Sequence, residues 1–452
     1  MTQVSRFSRR AFLSSAVAAA ALPSWASATG PSYIAGVVSG GNMTPVFQWS
    51  DAMLQAVRDK GIAPPPATRL FAMGHLAGFV AADAINGEYQ LPFRLPEPPA
   101  KADPAIAYGA AVSTALSRTA GLNTRAQLNG FLAGYPDGEG KGHGVSWGEY
   151  VGNAIVNWRE DDGIKFARSQ SYNKLSGPLA WEPTGPFYGA KNGPAFKPYA
   201  DALLPGWGKL SPWSVADVTV FRPRDFPDYS SREFERQLQK VHALGSSNST
   251  ERTADQAEIA FFWEDGPRGV TPPGHWQIIA MDLLQRRSMG LSEQARAMAM
   301  LSMAQADAGI ATWDCKFAMD VVRPETVMRK GAINTPLAQS LYDPNWMTLI
   351  PTPPFPAYTS GHSMFSSTSA RMIAKIIGRD RVNFSGAAPD LINWPSQLTG
   401  VRRSWTRLSQ AAEEGGMSRE YGGIHWEADN TEGMRLGRAI ADEVFRRGVR
   451  RA

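Results

Sequence analysis

Apolar residues in this chain of 452 residues recur at helical spacing, and no long run alternates at period two. Over residues 361–377 they fall at Met364, Phe365, Thr368, Met372, Ile373, Ile376 and Ile377, and Gly378 closes the run as a helix C-cap would. Asp103–Leu122 repeats the pattern through Ile106, Ala110, Val112 and Leu116, and Ser146–Asp161 through Val151, Ile155 and Trp158. Helices are also expected at 51–60, 70–85, 233–243 and 254–263. Others begin near Trp276 and at the capping Ser292, the latter running toward Val321. The last are 404–414 and 430–447. The fold class is therefore all-α with long loops. Pro64-Pro65-Pro66 reads as a loop, Pro96–Pro99 as a linker, and 163–230, dense in Pro, Gly and Trp, as a connection that covers other elements. The change from loop-rich to helical near residue 250 divides the chain into 29–250 and 251–452.

Composition removes several functions. Hydrophobic residues make up 43%, which fits a folded globular chain. The net charge is +5, but Arg6, Arg9 and Arg10 supply three of those charges, and the remaining +2 gives no case for nucleic acid or an anionic membrane. Those arginines belong to a leader, residues 1–28. Arg9-Arg10-Ala11-Phe12-Leu13 precedes an Ala-rich apolar run that ends at Ala26-Ser27-Ala28, which reads as a twin-arginine export signal toward the periplasm or outside. The apolar run is shorter than a membrane span needs, and the mature chain carries no integral span. With Cys315 the single cysteine, intramolecular disulfides and four-cysteine zinc sites are excluded.

Three clusters can carry chemistry. The run Pro351-Thr352-Pro353-Pro354-Phe355 imposes an extended approach to Thr359-Ser360-Gly361-His362. Ser360 and Gly361 then sit at a helix N-terminus, where free N–H groups and a hydroxyl suit an oxyanion, and His362 stands beside it to move a proton. Lys316 and Arg323, seven apart, share a helical face that Pro324 would end. Gly422-Gly423 makes a bend between Arg419 and His425, and Asp429 can accept from the imidazole. Each cluster alone also reads as ordinary capping, a solvated edge or a surface turn.

Together, Lys316-x6-Arg323-Pro, Ser360-Gly361-His362 and Ser418-Arg419-x5-His425-x3-Asp429 resemble the type 2 phosphatidic acid phosphatase superfamily. The order and internal spacings match over residues 260–452. Trp313 before Lys316, Trp263-Glu264-Asp265-Gly266, Phe355-Pro356-Ala357-Tyr358 and His425-Trp426 resemble the vanadium-dependent haloperoxidases within it. Thr359 departs from the proline common there.

The resemblance implies two packed four-helix bundles with vanadate as cofactor and no haem. Lys316, Arg323, Arg419, Ser360 and Gly361 would bind the oxyanion, His425 would ligate vanadium and His362 would act as acid–base. Asp265 would orient Arg419 or Arg323, and Trp313 would wall the site. The partners would be hydrogen peroxide, a halide and a small organic acceptor, and a homodimer is admitted. The alternative is an exported acid phosphatase with a phosphohistidine at His425. Cys315 reads as a buried structural thiol and His275 as a loop histidine without a role.

Overall fold

The computed structural model describes residues 43–177, 179–184, 201–223 and 225–452; the leader lies outside the described residues. Helices dominate them. The N-terminal part holds α1 (Pro45–Lys60), α2 (Pro64–Asn86), α3 (Pro104–Ala120), α4 (Arg125–Leu132), α5 (Glu139–Trp158) and α6 (Ile164–Ser169). Then come α7 (Arg232–Gly245), α8 (Ala254–Phe262), α9 (Thr271–Gln285), α10 (Leu291–Met319), α11 (Pro324–Lys330) and α12 (Pro336–Ser340). The C-terminal part holds α13 (Gly361–Ile377), β1 (Arg381–Ala387), α14 (Pro395–Leu398), β2 (Arg402–Arg407), α15 (Leu408–Tyr421) and α16 (Glu427–Arg447).

Proline starts and glycine stops set many of these bounds. Pro64, Pro65 and Pro66 open α2 rather than forming a loop, because proline at a first turn lacks only an N–H that would have no helical partner. Gly61 and Gly378 end α1 and α13 in the left-handed conformation that glycine adopts without steric cost. The reading of 404–414 as one helix is corrected: β2 pairs antiparallel with β1, and the helix begins only at Leu408. The Phe384–Trp405 pair is the buried face of this short ribbon, too little alternation to announce a strand.

Helix α2 packs against α3, α5 and α10, while α13 packs against α16, α15 and α10. Helix α10 is thus shared by both groups. Its Ala- and Met-rich sequence has no wide polar face, so it is buried along nearly its whole length. One polar residue on it, Asp307, has an evident task. Its carboxylate accepts the Trp213, Ser214 and Val215 backbone N–H groups at 2.6, 2.9 and 3.0 Å. This clamps part of the 163–230 connection over α10, as the sequence led one to expect of that segment. Arg222 forks onto Asp314 at 2.6 and 2.9 Å and fastens the same connection further along. Among the described residues no helix is long and apolar enough to cross a membrane.

Candidate active site

The two cations of the Lys316–Arg323 cluster converge by a route different from the expected one. Helix α10 stops at Met319, Asp320 caps it with a positive φ of 50°, and Arg323 is an extended residue in front of α11. Pro324 therefore opens a helix instead of ending one. Lys316 and Arg323 meet on the proline-rich run, not on a common helical face. Prolines hold that run extended, and the carbonyls at its end, of Phe355, Pro356 and Ala357, accept from the two cations. Lys316 Nζ donates to the Pro356 and Ala357 oxygens at 2.8 and 3.0 Å, and Arg323 Nε to the Phe355 oxygen at 2.9 Å. Both cations also lie over the Phe355 ring, 4.8 and 5.1 Å from its centroid.

Ser360 caps α13, its Oγ accepting the Ser363 N–H at 3.3 Å, and its own N–H donates to the Asp429 carbonyl. Gly361 is the first helical residue, as expected. The peptide between Tyr358 and Thr359 is cis. His362 Nε2 lies 3.2 Å from the Glu264 carbonyl, which makes Nε2 the donor and leaves Nδ1 with its lone pair.

Arg419 lies in the last turn of α15 and donates from Nη1 to the Trp263 carbonyl at 3.0 Å. Gly423, at φ 79°, then turns the chain against Gly245, whose carbonyl a Cβ would strike. The turn delivers His425. Its Nδ1 is 2.7 Å from Asp429 Oδ2, which also accepts the Trp426 N–H at 2.9 Å. Nδ1 therefore carries the proton, and Nε2, 3.0 Å from Arg323 Nη1, is an acceptor.

Crowded cations and burial set the protonation states. Burial pulls Arg323 down to about 9 and Arg419 to about 10, and puts Lys316 well below its ordinary value. Burial, then Arg323 and Lys316, hold His425 well below the usual histidine range, so it is neutral. His362 is depressed likewise, by burial and then Arg419. At this site two guanidinium nitrogens, Arg323 Nη2 and Arg419 Nε, are buried with no hydrogen-bond partner among the described residues.

Among the described residues Asp265 bonds to no arginine. Its carboxylate sits 3.0 Å from His275 Nδ1, and His275 stacks on Trp263 with centroids 4.5 Å apart. The reason is local: His275 is in the first turns of α9 and is carried back over the Asp265 turn, close enough to take the carboxylate. So His275 is a buried, engaged residue rather than an idle loop histidine. The carboxylate with the largest field at Arg419 is Glu264, which the sequence reading passed over as an acid. Cys315 is buried, with burial pushing its thiol up to about 12, as a structural thiol should be.

A cavity of about 260 Å³ joins these parts. Gly361, His362, Arg419, His425 and Asp265 line it; Lys316, Arg323 and Ser360 are buried around the residues that form its wall. Trp313 also lines it, its indole N–H tied to the Leu203 carbonyl at 2.9 Å.

Fold and pocket together define a helical protein with a buried, cation-rich pocket of oxyanion size. Residues 296–451 match the VCPO second helical-bundle domain. The vanadium chloroperoxidase of Curvularia inaequalis is 27% identical over 199 residues, covering 38% of this chain and 32% of that protein, so the match spans about a third of that relative. The crystal structure of the first bacterial vanadium-dependent iodoperoxidase superposes with a TM-score of 0.73 at 27% identity, over 90% of this chain and 97% of that one. A holo-type bacterial vanadium-dependent chloroperoxidase shares the fold at 18% identity, with a TM-score of 0.67 over 85% and 92% of the two chains. Residues 296–451 thus carry a vanadium chloroperoxidase-like helical-bundle domain, and the chain as a whole is similar in fold to the vanadium haloperoxidases.

Proposed function

We propose that this protein is a vanadium-dependent haloperoxidase that uses hydrogen peroxide to oxidise a halide to a hypohalous acid equivalent. The observation that carries the reading is the pair of buried, partnerless guanidinium nitrogens, Arg323 Nη2 and Arg419 Nε, beside a neutral His425. Buried donors without acceptors are costly, and a tetrahedral oxyanion satisfies both. The rest of the donor set fits the same ion. Lys316 commits two of its three N–H groups to carbonyls and keeps one. Ser360 Oγ accepts as a cap and retains its own proton to donate.

Lys316, Arg323 and Arg419 would therefore hold the vanadate oxygens, with Ser360 and the Gly361 N–H closing the cradle and His425 Nε2 supplying a nitrogen donor to the metal. Bound vanadate supplies a Lewis-acid centre that activates peroxide without haem. Asp429 keeps the His425 lone pair on Nε2. His362, neutral and lining the cavity, would take and return a proton through Nδ1. Lys316, so strongly depressed by burial, would regain its proton affinity beside an anion and donate a hydrogen bond to it. The leader, by its paired arginines, supports export of the folded chain.

The test compares purified protein with and without orthovanadate, given peroxide and chloride, bromide or iodide, and followed by halogenation of a dye. Halide oxidation that requires vanadate is expected. Strong phosphomonoester hydrolysis without any vanadate-dependent oxidation would instead establish the phosphatase use of the pocket, with His425 Nε2 as nucleophile.

A further inference from the structure

The cavity extends beyond what a four-oxygen ion occupies. Besides Arg419 and His425 it is lined by Trp313, Phe355, Leu203, Pro353, Pro354 and Pro267, and the Phe355 ring also borders Lys316 and Arg323. Trp313 and Phe355 form a tilted ring pair with centroids 5.0 Å apart. Prolines donate no N–H, so these walls offer contact area for a flat apolar body and few competing hydrogen bonds.

On the rim stands Arg268, a charge without a partner among the described residues. It lines the cavity, is exposed and adopts a φ of +65°. Its turn is nevertheless fixed. The Gly269 N–H bonds to the Gly266 carbonyl at 3.0 Å and the Val270 N–H to Asp390 Oδ2 at 2.7 Å, while Asp390 Oδ1 accepts from Arg58 at 2.8 Å. The two carboxylates that line the cavity have other partners. Asp265 faces His275, and Glu264 accepts from Asn393 and the Gly266 N–H. An incoming anion therefore meets Arg268 outside and the cationic floor within. The volume, about 260 Å³, lies below the roughly 300–1,000 Å³ of most ligand sites, and the oxyanion takes part of it.

We propose that the cavity, beside its oxyanion floor, is an acceptor site for a single-ring aromatic anion, its ring against Trp313 and Phe355 and its carboxylate on Arg268. The consequence rests on the haloperoxidase reading. Peroxide, halide and a proton yield hypohalous acid and water. The acid then gives its halogen to the held ring, the ring C–H becomes a C–halogen bond, and the lost proton leaves in a second water. Halogenation would then occur on a bound acceptor rather than on whatever molecule lies nearby.

Binding is measured without vanadate or peroxide, in phosphate buffer so that phosphate fills the floor. Calorimetric titration compares 4-hydroxyphenylacetate with its uncharged amide. The acid should saturate and the amide should bind about five- to tenfold more weakly, the size expected for a partly exposed charge contact. Arg268→Asn, which tolerates a left-handed backbone, should bring the acid to the level of the amide and leave the amide unchanged. Arg268→Lys should restore part of the difference. No saturable binding, or equal acid affinity in Arg268→Asn and the unaltered protein, overturns the site. If the acid binds but halide is never oxidised, the haloperoxidase reading fails and the binding site stands.

Discussion

Replacing Asp429 separates orientation from charge at the heart of the pocket. Its Oδ2 accepts from both His425 Nδ1 and the Trp426 N–H, while Oδ1 has no partner among the described residues. Asp429→Ala strips both donors of their acceptor inside a sealed region. A hydrogen bond to a charged group is worth about 1.5–3 kcal/mol, and loss of the partner that orients a metal-ligating histidine costs roughly 10–100-fold in affinity. Orthovanadate binding should weaken by that factor. Asp429→Asn can present one amide oxygen to both donors, so it should lose about three- to tenfold, since the neutral bond has about half the strength. Simple electrostatics predicts the opposite sign, because removing a carboxylate from beside three cations should strengthen anion binding. Orthophosphate provides the control: it carries charge but does not need the imidazole lone pair, and its affinity should hold or rise in both variants. Equilibrium dialysis of both ions, with thermal melts to show that the fold survives, gives the answer. If vanadate and phosphate shift together in Asp429→Ala, His425 is not held for coordination and the reasoning fails.

Other perturbations probe separate links. Arg419→Lys keeps a charge but cannot supply both the Trp263 bond and the free Nε donor, so vanadate affinity should fall about tenfold with melting little changed. Asp307→Ala leaves three backbone N–H groups without their acceptor, and denaturant melts should show a loss of at least about 3 kcal/mol. Burial pushes His75 down to about 3, so the folded state prefers its neutral form and stability is lost as pH falls below the unfolded value of about 6.5. The expected loss from His75 is about 2 kcal/mol between pH 7.5 and pH 5, with His362 and His425 acting in the same direction. His75→Gln should flatten that slope in denaturant melts, whatever it does to stability at neutral pH.

Sequence carried the helices well because their signals are local. Ser360 and Gly378 bracket α13 where the capping residues placed them, and Gly422-Gly423 bends the chain between Arg419 and His425. It misled where one residue serves two grammars. Proline marks both breaks and first turns, so Pro64 and Pro324 read as stops although both open helices. Lys316 and Arg323 converge, but through the Phe355–Ala357 carbonyls, and no periodicity encodes where a proline-rich run aims its oxygens. The Asp265–His275 pair joins residues ten apart through a turn with positive φ at Asp265 and Thr271, a conformation that side-chain pattern does not announce for residues other than glycine. The tie between Trp313 and Leu203 needs the covering connection folded back, a tertiary event with no local mark.

The crowding of Lys316, Arg323 and Arg419 in one dry place has a consequence for handling the protein. An anion that binds the native pocket and not the unfolded chain acts as a folding ligand, and one present at a hundred times its dissociation constant adds about 2.7 kcal/mol. Phosphate has the shape and charge to do this and, on the proposed mechanism, none of the redox-supporting chemistry. It would compete with vanadate by mass action, so that the ratio of the two ions, rather than vanadium alone, sets the active fraction. Purification in phosphate should yield the most heat-resistant preparation and also the least active one, and activity should return as vanadate displaces it.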